Sequence, residues 1–211
     1  MRLPPITPHV QATLEDFERL AQEVNRRHNL YSEVSTREFW QRHILHSFAL
    51  ASRSFPAGSR VIDWGTGGGI PGIPLAILFP DVHFVLVDAV GKKIRAVEMM
   101  TRRMHLANVE AWYGRAETWP GETDYSVSRA TAPLHTLWAW HRRTASTSTA
   151  KSSEEVWGTG LLCLKGGDLR GEVAALQSAY PEVIVNMQPL GPLLKEPYFE
   201  QKSLVHVSTS L

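Results

Sequence analysis

Cysteine is nearly absent from this sequence: Cys163 is the single one among 211 residues. One thiol excludes a disulfide within the chain and agrees with an intracellular compartment. Because Cys163 lies in the apolar run Leu161–Leu164, it is predicted to be a small buried hydrophobic residue. No uninterrupted apolar run approaches the roughly 20 residues of a membrane span, and the N-terminal segment lacks the apolar core of a signal peptide. These absences predict a soluble cytoplasmic protein.

A dominant charge is also lacking, since 22 Lys and Arg residues nearly balance 21 Asp and Glu residues. The resulting net charge of +1 gives no global electrostatic case for nucleic-acid binding, although it leaves room for a local basic face. The nine histidines are scattered. His43 and His46, three residues apart, form at most a weak metal pair, so no metal site is predicted. The length and 43% hydrophobic content suit one globular domain.

Helical periodicity is present near the N-terminus. Apolar residues recur at helical spacing over residues 13–30, and a second helix is predicted to begin at Ser35 or Thr36. From about residue 60 the pattern changes to alternating strands and helices. We therefore expect residues 1–58 to supply helices that pack on a domain formed by residues 59–211, with both parts in one compact unit.

The alternating part predicts a parallel α/β sheet. The expected strands are residues 61–62, 82–88, 109–113, 125–128 and 161–165, and the expected helices are residues 71–79, 91–106, 133–141 and about 168–179. Such alternation is typical of parallel strands joined by right-handed crossovers. Two more strands, residues 183–187 and 203–207, have no predicted helix between them and indicate an antiparallel hairpin at one edge. The polar run 144–153 predicts a surface loop.

The most informative segment is residues 61–74, Val-Ile-Asp-Trp-Gly-Thr-Gly-Gly-Gly-Ile-Pro-Gly-Ile-Pro. An apolar strand leads directly into a glycine-dense turn, and the turn opens a helix. A second apolar strand ends in Asp88. Glycine at this density carries an entropic cost that a plain connecting turn does not require. The segment therefore predicts a cradle for a nucleotide cofactor.

Two cofactor patterns overlap in this turn. Residues 67–72 satisfy the dinucleotide pattern G-x-G-x-x-G, whereas residues 63–69 satisfy an acid-x-Gly-x-Gly-x-Gly pattern. An acid at the position of Asp63 can serve the cationic amino acid end of S-adenosylmethionine. Asp88 can accept hydrogen bonds from ribose hydroxyls in either cofactor. The acid favours S-adenosylmethionine and leaves a dinucleotide-dependent oxidoreductase as the weaker interpretation.

A series of motifs in this chain has a counterpart, in the same order, in a known family. These motifs are residues 42–47 (Arg-His-Ile-Leu-His-Ser), 65–76 (Gly-Thr-Gly-Gly-Gly-Ile-Pro-Gly-Ile-Pro-Leu-Ala), 88–93 (Asp-Ala-Val-Gly-Lys-Lys), 115–117, 128–130, 164–168 and 198–199. They resemble the bacterial 16S rRNA guanine-N7 methyltransferases, also called glucose-inhibited division protein B. The resemblance spans roughly residues 14 to 207. Two positions depart from the family pattern: Trp64 replaces a small or aliphatic residue, and Tyr31 replaces a threonine.

The resemblance implies a Rossmann-like class I methyltransferase fold with a seven-stranded, mostly parallel sheet, helices on both faces and an antiparallel C-terminal hairpin. It also implies S-adenosylmethionine as the cofactor. Asp88 would hold the ribose, Ala116 and Glu117 would flank the adenine, and Arg129 would sit beside the cofactor and the substrate entrance. With the turn pattern, the predicted cofactor-binding residues are Asp63, Gly65, Thr66, Gly67, Gly69, Ile70, Asp88, Ala116, Glu117 and Arg129.

The implied substrate is a guanine in a decoding-centre loop of 16S rRNA, on naked rRNA or in the small ribosomal subunit. Guanine N7 has an in-plane lone pair and is unprotonated near neutral pH, so it can attack a methyl group without a general base. We therefore predict no catalytic proton-transfer residue, and the expected task of the enzyme is alignment. No stable protein partner is predicted, and the chain is expected to be a monomer.

A local basic surface would hold the RNA. The candidate RNA-binding residues are Arg42, His43, Lys92, Lys93 and Lys165. The main alternative is a methyltransferase that acts on a small molecule with the same cofactor cradle. A non-enzymatic RNA-binding module is disfavoured because Asp63, Gly65, Gly67 and Asp88 are all present.

Overall fold

The computed structural model describes residues 3–31, 35–129, 131–147 and 152–209. Seven strands form one sheet: β1 (Arg60–Trp64), β2 (His83–Asp88), β3 (Val109–Tyr113), β4 (Tyr125–Arg129), β5 (Gly160–Gly166), β6 (Val183–Pro189) and β7 (Lys202–Thr209). Their order across the sheet is β3-β2-β1-β4-β5-β7-β6. The first five strands are parallel, while β7 is antiparallel to both β5 and β6. The predicted seven-stranded, mostly parallel sheet is confirmed.

Helices cover both faces of the sheet, as predicted. The α-helices are α1 (Pro8–His28), α2 (Thr36–Phe39), α3 (His46–Phe48), α4 (Gly72–Leu78), α5 (Gly91–Arg103), α6 (Leu134–Thr144), α7 (Arg170–Ala179) and α8 (Gly191–Leu194). Side chains of α1, α4 and α5 share one buried cluster with the sheet, and those of α6 and α7 share a second. Because successive side chains of a strand point to opposite faces of the sheet, Val61 packs in the first cluster and Ile62 in the second.

Helix α1 begins five residues earlier than predicted. Thr7 is its N-cap, and the Thr7 hydroxyl accepts a hydrogen bond from the Val10 amide at 3.3 Å. Pro8 occupies the first turn, where its missing N–H costs no intrahelical hydrogen bond. The first fully buried residue of the helix is Leu14, and the apolar periodicity that predicted residues 13–30 starts there. The turns before it contain a single large apolar residue, Val10, which is partly buried against the core and is too little to set a helical period.

The second helical segment starts at the predicted place. Ser35 caps α2, and Ser35 and Glu38 form a capping box. A π-helical stretch, Trp40–Leu45, follows, and then come α3 and a 3-10 turn, Ala49–Ser52. π-Helical turns are rare and occur frequently at functional sites. This one carries Arg42 and His43.

The C-terminal hairpin is antiparallel as predicted, but the prediction that nothing helical joins its strands was wrong. Helix α8 and a 3-10 turn, Pro197–Phe199, lie between β6 and β7. These turns are short and contain Gly191, Pro192 and Pro197, so they show no helical periodicity in the sequence. In addition, β7 inserts between β5 and β6, so β6 forms the edge of the sheet.

Two smaller predictions concern Cys163 and the polar run 144–153. Cys163 is fully buried in β5 as predicted, and burial raises the pKa of its thiol to about 12. Thr144 belongs to α6 and is buried, whereas residues 148–151 lie outside the described part of the chain. In the described ranges, no helix has both the length and the apolar character needed to cross a bilayer.

Candidate active site

The carboxyl end of β1 continues into a tight turn built on glycine. Gly65 and Gly67 have φ values of 69° and 62°, in the left-handed region that favours glycine. The Thr66 amide donates to the Val87 carbonyl at 2.9 Å, which ties the turn to β2. Amides of Gly69 and Ile70 in turn donate to the Thr66 carbonyl. The turn therefore holds its backbone against the top edge of the sheet.

Asp88 ends β2 beside this turn. Its Oδ2 accepts from the Gly67 amide at 3.0 Å, and its Oδ1 accepts from the Val90 amide at 2.8 Å. The Lys93 ammonium lies 3.7 Å from the carboxylate. Since an ionised carboxylate offers about four acceptor positions, capacity remains for further donors. Asp88 is thus a fixed, negatively charged acceptor at the strand edge.

A cavity of about 460 Å³ opens over this edge, between the turn after β1 and the ends of β2, β3 and β4. Six predicted site residues line it: Gly65, Asp88, Lys93, Ala116, Glu117 and Arg129. Six further residues complete the wall: Val87, Ala89, Gly114, Arg115, Thr131 and Trp140. Its volume falls in the range of small-molecule and cofactor sites, about 300–1,000 Å³. The structure therefore brings together the predicted ribose, adenine and entrance positions.

The other predicted cofactor residues build the turn rather than the cavity wall. Thr66 and Ile70 are buried, at 2% and 3% exposure. Gly67 faces open space, because a Cβ built on it would meet no atom within 4 Å. Gly69 has no such space, since its Cβ would collide with the side chain of Ile73.

Asp63 is fully buried beneath the turn. Its Oδ2 accepts from the Gly72 amide at 3.0 Å and so fixes the start of α4. Among the described residues its Oδ1 has no hydrogen-bond partner. Burial raises the pKa of this carboxyl to about 7, against the opposing effects of Thr66 and the Gly72 amide. Asp63 thus combines a structural role with one unused buried acceptor.

Arg129, at the end of β4, joins the cavity to the π-helical stretch. Its Nη1 donates to the Arg42 carbonyl at 3.0 Å and lies 2.7 Å from His43 Nδ1. Burial, followed by the charge of Arg129, lowers the pKa of His43 to about 3. His43 is therefore neutral near pH 7, and its Nδ1 accepts the hydrogen bond from the guanidinium.

Tyr31, one of the two departures from the family pattern, lies against the glycine turn. Its hydroxyl donates to the Gly68 carbonyl. Its ring packs edge-on against Phe39 at 5.4 Å and lies 5.2 Å from the His43 ring, measured between centroids. Burial raises the pKa of Tyr31 above its ordinary value. Tyr31 thereby connects the N-terminal helices to both the turn and Arg129.

Trp64, the second departure, fills core space. It is fully buried, and its indole Nε1 donates to Ser126 Oγ at 2.9 Å. Its ring lies 6.0 Å from that of Trp140, which reaches the cavity. Trp140 Nε1 donates to Glu117 Oε1 at 3.0 Å. The sequence gives no signal for this contact, because the helical position of Trp140 does not reveal which neighbour it meets.

Four of the five predicted RNA-binding residues surround the cavity mouth or the π-helical stretch. Arg42 is paired with Glu38 at 2.8 Å, and its side chain remains 40% exposed. Lys92 is exposed, while Lys93 lines the cavity and His43 is half-buried. These positions leave three cationic side chains near the opening.

Lys165 is placed differently. Its ammonium is buried and donates to the Ala132 carbonyl at 2.6 Å and to Glu172 Oε2 at 2.8 Å. Glu172 Oε2 also accepts from the Leu134 amide at the start of α6. This buried ion pair joins α6, α7 and β5, which favours a structural role for Lys165 over contact with RNA.

No group of three or more His, Cys, Asp and Glu side chains that could hold a metal ion occurs in the described part of the chain. The cavity wall carries the carboxylates of Asp88 and Glu117 and the partly buried guanidinium of Arg129, which is bonded to a neutral His43. Such a set is chemically able to bind and orient a charged organic molecule.

Comparison with known proteins agrees with this geometry. The family model described as "GidB: rRNA small subunit methyltransferase G" matches residues 10–180. The chain belongs to this family. A ribosomal RNA small subunit methyltransferase G from Salinibacter ruber is 48% identical over 203 residues, covering 96% of this chain and 94% of that protein. A protein of the same name from Cytophaga hutchinsonii is 37% identical, covering 88% and 86%.

The fold has many solved counterparts. A SAM-dependent methyltransferase from Aquifex aeolicus superposes with a TM-score of 0.59 at 11% sequence identity, covering 89% of this chain and 97% of that one. At this identity the likeness concerns the fold alone. The architecture is therefore that of the Rossmann-like methyltransferases, as predicted.

Proposed function

We propose that this chain transfers a methyl group from S-adenosylmethionine to N7 of a guanine in a decoding-centre loop of 16S rRNA. The observation that carries the proposal is the family match over residues 10–180, which includes the whole cavity wall. Relatives that share up to 48% of their residues with this chain are named as small-subunit rRNA methyltransferases.

The residues present fit the cofactor. Asp88 has acceptor capacity for ribose hydroxyls, and Ala116 and Glu117 lie across the cavity where an adenine would be flanked. Open space at Gly67 allows a ligand to approach the backbone closely. Asp63 is fully buried beneath the turn and does not line the cavity, so its Oδ1 would serve the ammonium of the amino acid end through water. The bound cofactor supplies an electrophilic methyl group on a sulfonium.

The chain's own residues then act by alignment. Guanine N7 would use its lone pair to form the new bond to the methyl carbon, and the carbon–sulfur bond would break with its electrons on sulfur. No proton moves, so no general base is needed, and a neutral His43 with its pKa lowered to about 3 is a poor base. Arg129, fixed by Arg42 and His43, would form the wall between cofactor and substrate entrance. Near-attack geometry supplies most of the acceleration.

RNA binding would use the cations around the mouth, of which Lys92 is exposed and Arg42 and Lys93 are partly exposed. In this proposal Arg42, Lys92 and Lys93 would meet phosphates, with His43 contributing packing rather than charge. N7 faces the deep major groove of A-form RNA, so the target guanine has to lie in a loop or leave its stack.

The working form is proposed to be a cytoplasmic monomer bound to 16S rRNA or the small subunit. We further propose that residues 1–58 and 59–211 act as one compact unit. Shared burial of Leu14 and Phe17 with Leu75 and Leu86 of the sheet region supports this view.

Labelled S-adenosylmethionine and small-subunit rRNA that lacks its own N7 methylation test the proposal. Label in the RNA fraction is expected. Label found only in small acceptors from a cell extract, with none in RNA or in the intact subunit, would overturn it in favour of a small-molecule methyltransferase.

A further inference from the structure

Tyr198 is an aromatic ring flanked by two cations close to the cavity mouth. It lies in the 3-10 turn Pro197–Phe199 that precedes β7. The Arg42 guanidinium carbon is 5.5 Å from the ring centroid, and the Lys202 ammonium is 4.4 Å from it. Tyr198 is partly exposed. Nothing in the binding of the cofactor uses this arrangement.

The ring is held in a fixed orientation. Phe199, which is fully buried, packs edge-on against it at 4.9 Å and 81°, and His46 does so at 6.3 Å and 88°. Gln41 of the π-helical stretch donates to Glu196 Oε2 at 2.9 Å and so ties the turn to that stretch. A rigid ring loses little freedom when a ligand packs on it.

Arg42 lies between Tyr198 and Arg129, a residue of the cavity wall. Arg42 contacts the ring with its guanidinium, while its carbonyl accepts from Arg129, which lines the cavity. The ring is therefore reached from the entrance side, past Arg129, rather than from the side of Asp88.

We propose that Tyr198 is a stacking platform for a base of the RNA substrate beside the target guanine, with Arg42 and Lys202 moving from the ring to the flanking phosphates. The inference rests on the proposed function. Extruding a guanine unstacks its neighbours, and an aromatic ring flanked by cations restores stacking to one of them. Both cationic side chains are long and flexible, and that of Arg42 is 40% exposed, so they can exchange ring for phosphate.

Removing the ring tests the platform. Tyr198→Leu is expected to raise KM for unmethylated small-subunit rRNA roughly 5- to 140-fold, the range for base–aromatic stacking. Tyr198→Phe keeps the ring and is expected to stay close to wild type. Cofactor affinity, measured by calorimetry with S-adenosylhomocysteine, should not change in either variant, which separates a role in RNA contact from loss of fold.

The matched control is Tyr180→Leu. Tyr180 also lies under a guanidinium, with Arg142 5.0 Å from its ring centroid, but it precedes the start of β6, which pairs with the end of β7 and so lies at the opposite end of these strands from Tyr198. This variant should leave KM for rRNA unchanged.

Three outcomes distinguish the stacking role of Tyr198 from the proposed methyl transfer to rRNA. An unchanged KM for rRNA in Tyr198→Leu, with methyl transfer by the wild type intact, would overturn the platform alone. A wild type that methylates no RNA would overturn the proposed function and the platform with it. If Tyr198→Leu loses cofactor affinity, Tyr198→Met decides instead, since it retains apolar volume without a ring, and the same rise in KM is expected.

Discussion

At the residue scale, Asp88 is the acceptor that we propose for the ribose of the cofactor. Asp88→Ala removes a charged acceptor held by two backbone amides. We expect cofactor affinity to fall by about 1–3 kcal/mol, the range for hydrogen bonds to a charged group. Calorimetry with S-adenosylhomocysteine measures the change. Asp81→Ala, which removes an exposed carboxylate away from the cavity, is the control, and wild-type affinity in Asp88→Ala would refute the ribose role.

Asp63 makes stability depend on pH. Its folded pKa of about 7 lies above the ordinary value of 3.8, so the folded state holds a proton that the unfolded state releases. The stability that this group contributes is present below about pH 4 and is lost as pH rises to about 7. Asp63→Asn should remove this pH dependence of the free energy of unfolding, which amounts to up to about 4 kcal/mol between pH 4 and pH 7.

Denaturant unfolding at several pH values measures the effect. The wild type should lose free energy of unfolding between pH 4 and pH 7 relative to Asp63→Asn. If the free energy of unfolding changed with pH in the same way in both proteins, Asp63 would be ionised in the folded state despite its burial.

At the scale of elements, Tyr31 couples the N-terminal helices to the glycine turn. Tyr31→Phe deletes the hydroxyl that donates to the Gly68 carbonyl but keeps the contact between this aromatic ring and the His43 ring. We expect a loss of about 1 kcal/mol in stability, typical of one hydrogen bond, and weaker cofactor binding because the turn is less constrained. Tyr113→Phe, at an exposed tyrosine, should change stability little; equal losses in both variants would contradict the coupling.

Helix α6 reaches the cavity through Trp140. Trp140→Phe removes the N–H that orients Glu117, so cofactor affinity should fall severalfold, in line with about 1 kcal/mol for one hydrogen bond. The control is Trp138→Phe on the same helix, where the indole N–H has no hydrogen-bond partner among the described residues. Isothermal titration with S-adenosylhomocysteine should separate the two; indistinguishable affinities would remove Trp140 from the site.

Elements also show what sequence could predict. The strand–turn–helix around residues 61–78 was predictable because it is local: its glycines, its acid and its apolar strand are adjacent in the chain. The contacts of Trp140, Tyr31 and Tyr198 were not, since each depends on a partner at least 20 residues away. The order of β5, β7 and β6 likewise depends on long-range pairing that periodicity does not encode.

Lys165 illustrates the same limit. A lysine at the end of a parallel strand was predicted to point to the mouth, because strand ends of a parallel sheet share one edge. The structure instead turns its ammonium to Glu172, on the helix that follows. A strand position fixes which edge a residue occupies, but it does not fix the partner of a long side chain.

At the scale of the whole molecule, a net charge of +1 requires that attraction to RNA be local. Removing one phosphate contact should lower the slope of log affinity against log salt by about 0.7 for single-stranded RNA. We expect this change for Lys92→Ala and for Arg42→Ala. Arg142→Ala removes a comparably exposed arginine, paired with Glu182 away from the mouth, and should leave the slope unchanged; equal slopes in all three variants would argue against a local RNA-binding face.

The most direct test of the proposed function is to map the methylated atom. Purified protein and labelled S-adenosylmethionine are incubated with small-subunit rRNA lacking N7 methylation, and N7-methylguanine is located by chemical cleavage of the chain. We expect one cleavage site, at a guanine in the decoding-centre loop. Label at another atom, at many guanines or outside that loop would contradict it.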